Sequence, residues 1–274
     1  MRIKTKNTIG LLIVSSLLIS ACGSGEVLGP PDSPPGDPLI QIHSEGGFIP
    51  VEWNLGNGAT FTVTNGGSFI FPGVTTLEYP GRLVPSYFQG QLDDEQMARI
   101  NDLIDAMGIA DIDDEHDDSV DNVADASTEV IQYWDETGVH RYSVYALEIT
   151  EQPASDTTAA FADLVEYLQG LSGTVDGSEY EPERVRVVAG TYHGGFDTDF
   201  ERVEDWPLEG ENPDDWDVFA SIGGDDWTCK AFDPEVLDVF TEARQTTVYT
   251  HPDHGGQIQL LVRPLHPGEA DCSN

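Results

Sequence analysis

The sequence predicts an α+β fold of two modules, each packing helices on an antiparallel sheet. Three observations lead there. Amphipathic segments with cap signals stand at 93–107, 157–169 and 234–244. Alternating segments separated by Gly-rich turns surround them. The elements run β-β-β-α-β-β-α and then β-β-β-α-β-β, the order of helices laid on antiparallel strands. The repetition across the two halves is compatible with an internal duplication.

Before the first element, MRIKTKNTIGLLIVSSLLISAC has the layout of a cleavable leader. Arg2, Lys4 and Lys6 precede an apolar run from Thr8 to Ala21. That run is short of the roughly 20 residues a spanning helix needs, and charge followed by a short apolar run is signal-peptide order. Ile19-Ser20-Ala21-Cys22 matches a lipobox, so residues 1–21 are expected to be removed and Cys22 lipidated. Several acyl chains on one residue anchor stably where a single chain does not. Residues 22–38, rich in Gly, Pro and Ser, bury too little to order themselves and read as a tether. The expected address is the extracytoplasmic face of the cell membrane.

The first module is expected over 39–172. Segments 50–55, 59–64 and 68–71 alternate around Gly-Asn-Gly and Asn-Gly-Gly turns, a meander signal. In the helix at 93–107, Asp93 caps the start with Gln96 as its capping-box partner, Met97, Ile100, Ile104 and Met107 share a face, and Gly108 ends it. Segments 128–135 and 139–147 flank Glu136-Thr137-Gly138 and read as a hairpin. A second helix spans about 157–169, with Asp156 as cap, Phe161, Leu164, Val165 and Leu168 on one stripe, and Gly170 as stop.

Residues 173–183 read as a linker, and 184–274 as the second module. Its strands fall at 184–189, 217–222, 226–232, 245–250 and 257–263, and its helix opens on Asp233-Pro234.

Charge narrows the partners. The chain has 50 acidic and 12 basic residues, a formal charge of −38. Without its leader it has nine basic residues and a charge of −41, and Lys230 is the last lysine. Such a surface repels nucleic acid and anionic headgroups, leaving the lipid on Cys22 as the route to the membrane. A saline habitat, which screens self-repulsion, competes with cation collection as the reason for the acidity. Near-absence of lysine throughout the chain favours the habitat. With Cys22 lipidated, Cys229 and Cys272 remain as a disulfide pair in an oxidising compartment. The bond closes a loop of about 44 residues, worth about 4 kcal/mol on the chain-entropy account.

Several phrases occur together: Gly46-Gly47-Phe48-x-Pro50, Asp125-Ala126-Ser127-Thr128, Tyr145-Ala146-Leu147, Trp206-Pro207-Leu208 and Arg263-Pro264-Leu265-x-Pro267-x-Glu269-x-x-Cys272. The combination, over about residues 46–272, resembles a group of actinobacterial lipoproteins without an assigned activity. The resemblance implies lipidation and the disulfide, and it carries over no catalytic residue, ligand or cofactor.

Candidate sites are few. Residues 111–125, DIDDEHDDSVDNVAD, hold eight carboxylates. Asp111, Asp113, Glu115 and Asp117 have the alternate spacing of a calcium loop. His116 and Asn122 stand where an EF-hand requires Gly and Glu, so only a looser calcium loop is open, beside the plainer reading of a solvated salt-adapted turn. His251-Pro252-Asp253-His254 and His193 with Asp197 and Asp199 offer metal-ligand types on what read as ordinary turns. Trp206, Trp216 and Trp227 lie in an acidic, loop-rich stretch. They are either an exposed protein- or glycan-binding platform or core packing. No Gly-x-Ser-x-Gly elbow or phosphate-cradling loop appears, and with 50 acids paired carboxylates arise by chance.

The expectation is a membrane-anchored, extracytoplasmic binding or structural module without catalytic activity or a required cofactor. An extracytoplasmic hydrolase and a calcium-stabilised adhesion or sensor domain are the alternatives.

Overall fold

The computed structural model describes residues 36–47, 54–73, 79–112, 114–117, 123–149, 155–194 and 201–272. The leader, Cys22 and most of the tether lie outside the described residues. So do Asp113, Asp197, Asp199, and residues 50–53 of the first expected strand.

The chain is α+β and mostly β, built on two sheets. Strands β1 (Pro38–Gly46), β2 (Phe61–Thr64), β3 (Ser68–Pro72) and β4 (Tyr87–Gln91) precede helix α1 (Asp94–Met107). Then come β5 (Glu115–Asp117), β6 (Ser127–Asp135), β7 (Gly138–Tyr145), helix α2 (Asp156–Ser172) and β8 (Gly177–Glu179). These strands form one sheet in the order β5-β7-β6-β1-β2-β3-β4-β8. The second sheet takes β9 (Val185–Thr191), β10 (Arg202–Asp205), β11 (Asp217–Ile222), β12 (Asp225–Phe232), β13 (Thr247–Thr250) and β14 (Gln257–Pro264). Its order is β10-β13-β14-β9-β12-β11. Both sheets are mixed, because β5 lies parallel to β7 and β10 parallel to β13. The purely antiparallel expectation fails at these short edge strands, EHD and RVED, which have no apolar alternation to announce them.

Helix α1 is capped as its sequence predicts. Asp93 Oδ1 accepts from Gln96 N at 2.8 Å and Gln96 Oε1 accepts from Asp93 N at 2.9 Å. Gly108 ends the helix with φ +63°, a left-handed conformation glycine adopts without strain. Helix α2 differs at both ends. Ser155 is its cap, its hydroxyl accepting from Thr158 N at 3.0 Å. The helix passes through Gly170 to Ser172, because the next turn buries Leu171. At 234–244 an α-helix is expected, and the chain instead makes a 3₁₀ helix over Pro234–Phe240. Asp233 makes no side-chain cap there, and the β-branched Val236 and Val239 favour helix weakly.

Alternation sorts the first sheet into two faces. Ile40, Ile42, Phe61, Val63 and Ile131 join Ile100, Ile104, Phe161, Leu164 and Leu168 in one core under the two helices. Gln41 and Thr62, paired in the ladder, lie on the opposite face and are also buried. What covers them is the end of β14 and the turn after it. The second sheet buries Val185, Val187, Ile258, Leu260 and Val262 with Phe240 and Trp216, and Leu83 from the first half of the chain joins them. Its other face carries Val188, Phe219, Trp227 and Cys229. The Cys229–Cys272 disulfide forms, with S–S 2.04 Å, and ties the end of the chain to that face.

Candidate functional site

The segment Arg263-Pro264-Leu265-His266-Pro267-Gly268-Glu269 leaves β14 and turns back against the first sheet. Pro followed by Gly268 at φ +84° is the residue order of a type II turn, closed by Glu269 N donating to His266 O at 3.1 Å. The turn puts Glu269 between the two halves. Its Oε1 accepts from the backbone N of Ala59 at 2.9 Å, and its Oε2 accepts from His266 N at 2.7 Å. The same Oε2 pairs with Arg263 Nη2, and both side chains are nearly enclosed. Gly58 is required beside this pair: a Cβ there would fall 0.8 Å from Arg263 Nη1.

Further bonds close the junction. Gln41 Nε2 donates to Pro267 O at 2.8 Å, and Tyr180 OH donates to Leu265 O at 2.8 Å. His266 Nδ1 lies 2.9 Å from Thr62 Oγ1. The edges or faces of Tyr87 and Tyr180 meet the imidazole nearly at right angles, at 4.5 and 5.4 Å between centroids. Arg186, ladder partner of Arg263, donates from Nε to Asp271 O at 2.8 Å and from Nη2 to Ala270 O.

The electrostatics follow. Burial opposes ionisation of Glu269, and the Arg263 guanidinium outweighs it, bringing the carboxyl down to about 2. Burial and then Arg263 lower His266 to about 4, so the imidazole is neutral. Burial, followed by the neighbouring Arg263, brings Arg186 down to about 10. Thr62 next to His266 has the look of a hydroxyl and its base, but Thr62 is fully buried. The cluster is an ionic clasp between the two halves. A clasp of this kind is held by geometry: Glu269 spends both oxygens on it, while Arg263 Nε and His266 Nε2 are buried without a partner among the described residues.

Beside the clasp opens a cleft of about 310 Å³. Asn57 and Thr60 come to it from the β1–β2 connection, Arg82 and Tyr87 from the approach to β4, Gln259 from β14 and Gln245 from the residues before β13. A short antiparallel bridge fixes its mouth: Leu83 N donates to Ala243 O and Gln245 N to Gly81 O, each at 3.0 Å.

The residues expected to form sites are dispersed. Asp111 ends an exposed 3₁₀ turn, and Glu115 lies exposed on β5. Asp117 accepts from Thr158 Oγ1 at 2.6 Å, and Asp114 pairs with Arg141 at 3.1 Å. Among the described residues, no group of three or more His, Cys, Asp or Glu is placed to hold a metal. His254 pairs with Asp214 at 3.0 Å and His193 with Asp225 at 2.7 Å. His251 instead accepts from Asp253 N and meets the Trp206 ring.

The three tryptophans do not form an exposed platform. Trp216 and Trp227 are buried, in clusters on opposite faces of the second sheet, and Trp206 packs on Trp216 and Tyr249. Their apolar area is spent on core packing in a module of short strands. The clasp residues went unrecognised in the sequence as a unit, although Arg-Pro-Leu-His-Pro-Gly-Glu is unusual for pairing basic groups with a turn in so acidic a chain.

Comparison with protein families, with curated proteins and with solved structures gives no match for this chain.

Proposed function

We propose that this protein is a lipid-anchored extracytoplasmic binding module, held at the membrane through Cys22 and without catalytic chemistry of its own. One contrast at the sheet junction carries the reading. The carboxyl and the imidazole with the largest pKa displacements, Glu269 and His266, are built into the clasp, Glu269 bonded through both oxygens and His266 buried. The adjoining cleft presents side chains whose hydrogen-bonding capacity is unspent. Enzymes keep perturbed groups free to act where substrate arrives; here both Glu269 oxygens are spent on protein donors, although Glu269 and His266 also border a second depression of about 720 Å³. In this reading residues 39–172 and 184–274 are the two modules, the clasp fixes their relation, and 22–38 holds them off the membrane.

Labelled palmitate supplied to a bacterial host that processes lipoproteins tests the anchor. The full-length chain is expected to take up label and sediment with membranes, and Cys22→Ala to do neither. A wild-type chain that is unlabelled and soluble overturns the reading.

A further inference from the structure

We infer that the cleft between the sheets binds a hydroxylated monocarboxylate of sugar-acid size, with Arg82 receiving the carboxylate and Gln245, Gln259 and Tyr87 the hydroxyls. The inference rests on the binding-module reading and names its ligand class.

The first ground is the absence of acids from the lining. With 50 acids in 274 residues, about twenty lining positions should include three or four. The cleft and the depression continuous with it, which share Thr60, Arg82, Pro85, Tyr87 and Gln245, are lined by no Asp or Glu among the described residues. The protein's overall field opposes an anion, so a concavity cleared of carboxylates around a guanidinium is the one kind of place where an anion is tolerated. Arg82 makes no ion pair with any described residue, whereas Arg141, Arg184, Arg202 and Arg263 do.

The second ground is unspent hydrogen bonding. Gln259 is 8 % exposed, yet its side-chain amide has no protein partner among the described residues. Its amide atoms keep contact with solvent, so they are presented to a ligand group or water in the cleft. Gly190, beside Gln259 in the ladder, is roofed by the Trp227 ring, where a Cβ would come within 2.3 Å. The side chain of Gln245 and the hydroxyl of Tyr87 likewise have no partner among the described residues. Burial raises the Tyr87 pKa, so the hydroxyl keeps its proton and can donate.

The set selects its ligand. Arg82 offers a planar fork that matches one carboxylate. A single guanidinium balances the one charge of a monocarboxylate better than the higher charge of a phosphate. With no acid among the described lining residues, a ligand ammonium finds no counterion there, which disfavours amino acids and amino sugars. Two amides and a phenol both donate and accept, as hydroxyls require. Leu261, on the same face of β14 as Gln259, supplies apolar wall for C–H faces, and about 310 Å³ is at the small end of ligand sites.

Titration calorimetry on the full-length protein in detergent, with glucuronate, glucose and glucosamine as probes, tests this. Glucuronate is expected to bind, with glucose at least about tenfold weaker and glucosamine weaker still. Arg82→Gln is expected to weaken glucuronate by about 10- to 100-fold and leave glucose unchanged, with the same unfolding midpoint because Arg82 is exposed. Gln259→Leu should weaken both sugars. Glucose binding as tightly as glucuronate, or glucuronate binding unchanged in Arg82→Gln, overturns the sugar-acid class and leaves the binding module standing. Absence of heat with all three probes at about 10 mM, where a ligand of even millimolar Kd would register, overturns the cleft as a site and the binding-module reading with it.

Discussion

Replacing Glu269 with Gln keeps its shape but removes the charge that faces Arg263, leaving a guanidinium enclosed without a counterion. Breaking a buried pair in this way costs about 3–5 kcal/mol, and denaturant unfolding of Glu269→Gln should show a loss of that size. The pH dependence separates the two titratable groups. Glu269 lies at about 2 in the folded chain against an ordinary value near 4.5. Its contribution is present above pH 4.5 and lost as pH falls toward 2. His266 lies at about 4 against 6.5. Between those values the unfolded chain takes up a proton that the folded chain refuses, so stability falls from pH 6.5 to 4. The Thr62→Val, His266→Phe double variant removes both partners of that bond together. Measured against the parent at each pH, it should recover about 1–3 kcal/mol across that window. A difference that stays constant with pH would sink the assignment of a neutral, enclosed imidazole.

Among the elements, α1 was legible almost residue by residue because its signals are local. The capping box, the apolar face and the terminal Gly108 all act within one or two turns. Asp93→Ala should cost about 1 kcal/mol, read as a lower unfolding midpoint. The 127–145 hairpin and the long strands of the second sheet were legible for the same reason. The short strands β5, β8 and β10 were not, since three or four residues carry no period and their pairing is decided by what they meet. Strand β1 was also missed, although Leu39-Ile40-Gln41-Ile42 alternates. It follows the tether directly and has no turn signal in front of it. At the site, the disulfide could be read from cysteine count alone. The clasp and cleft could not, because Ala59 and Glu269 stand 210 residues apart and nothing local links Arg82 to Gln259.

For the molecule as a whole, a formal charge of −38 means that the folded state works against its own repulsion. The Debye length shrinks from about 10 Å at 0.1 M salt to about 3 Å at 1 M. The thermal midpoint should therefore rise steadily with NaCl over that range. Millimolar Ca²⁺ at matched ionic strength is expected to add no further rise, because Asp117 is engaged by Thr158 and Asp114 by Arg141. An added rise that disappears in Asp117→Asn would instead place an ion at 111–125.

The position of the clasp also sets the order in which the chain can be finished. Strand β1 is near the start, yet one of its two neighbours is β6, Ile42 opposite Ile131. The buried face behind it is sealed only when the turn from Leu265 to Glu269 has been made. At about 5–20 residues per second of synthesis, roughly 10–40 s separate the appearance of Ala59 from that of the carboxylate that holds it. Throughout that interval the N-terminal sheet has a seam exposed to solvent. The seam closes only after the strands are made, so that a nascent chain cut off between 264 and 269 has all the described strands of both sheets and no clasp between them.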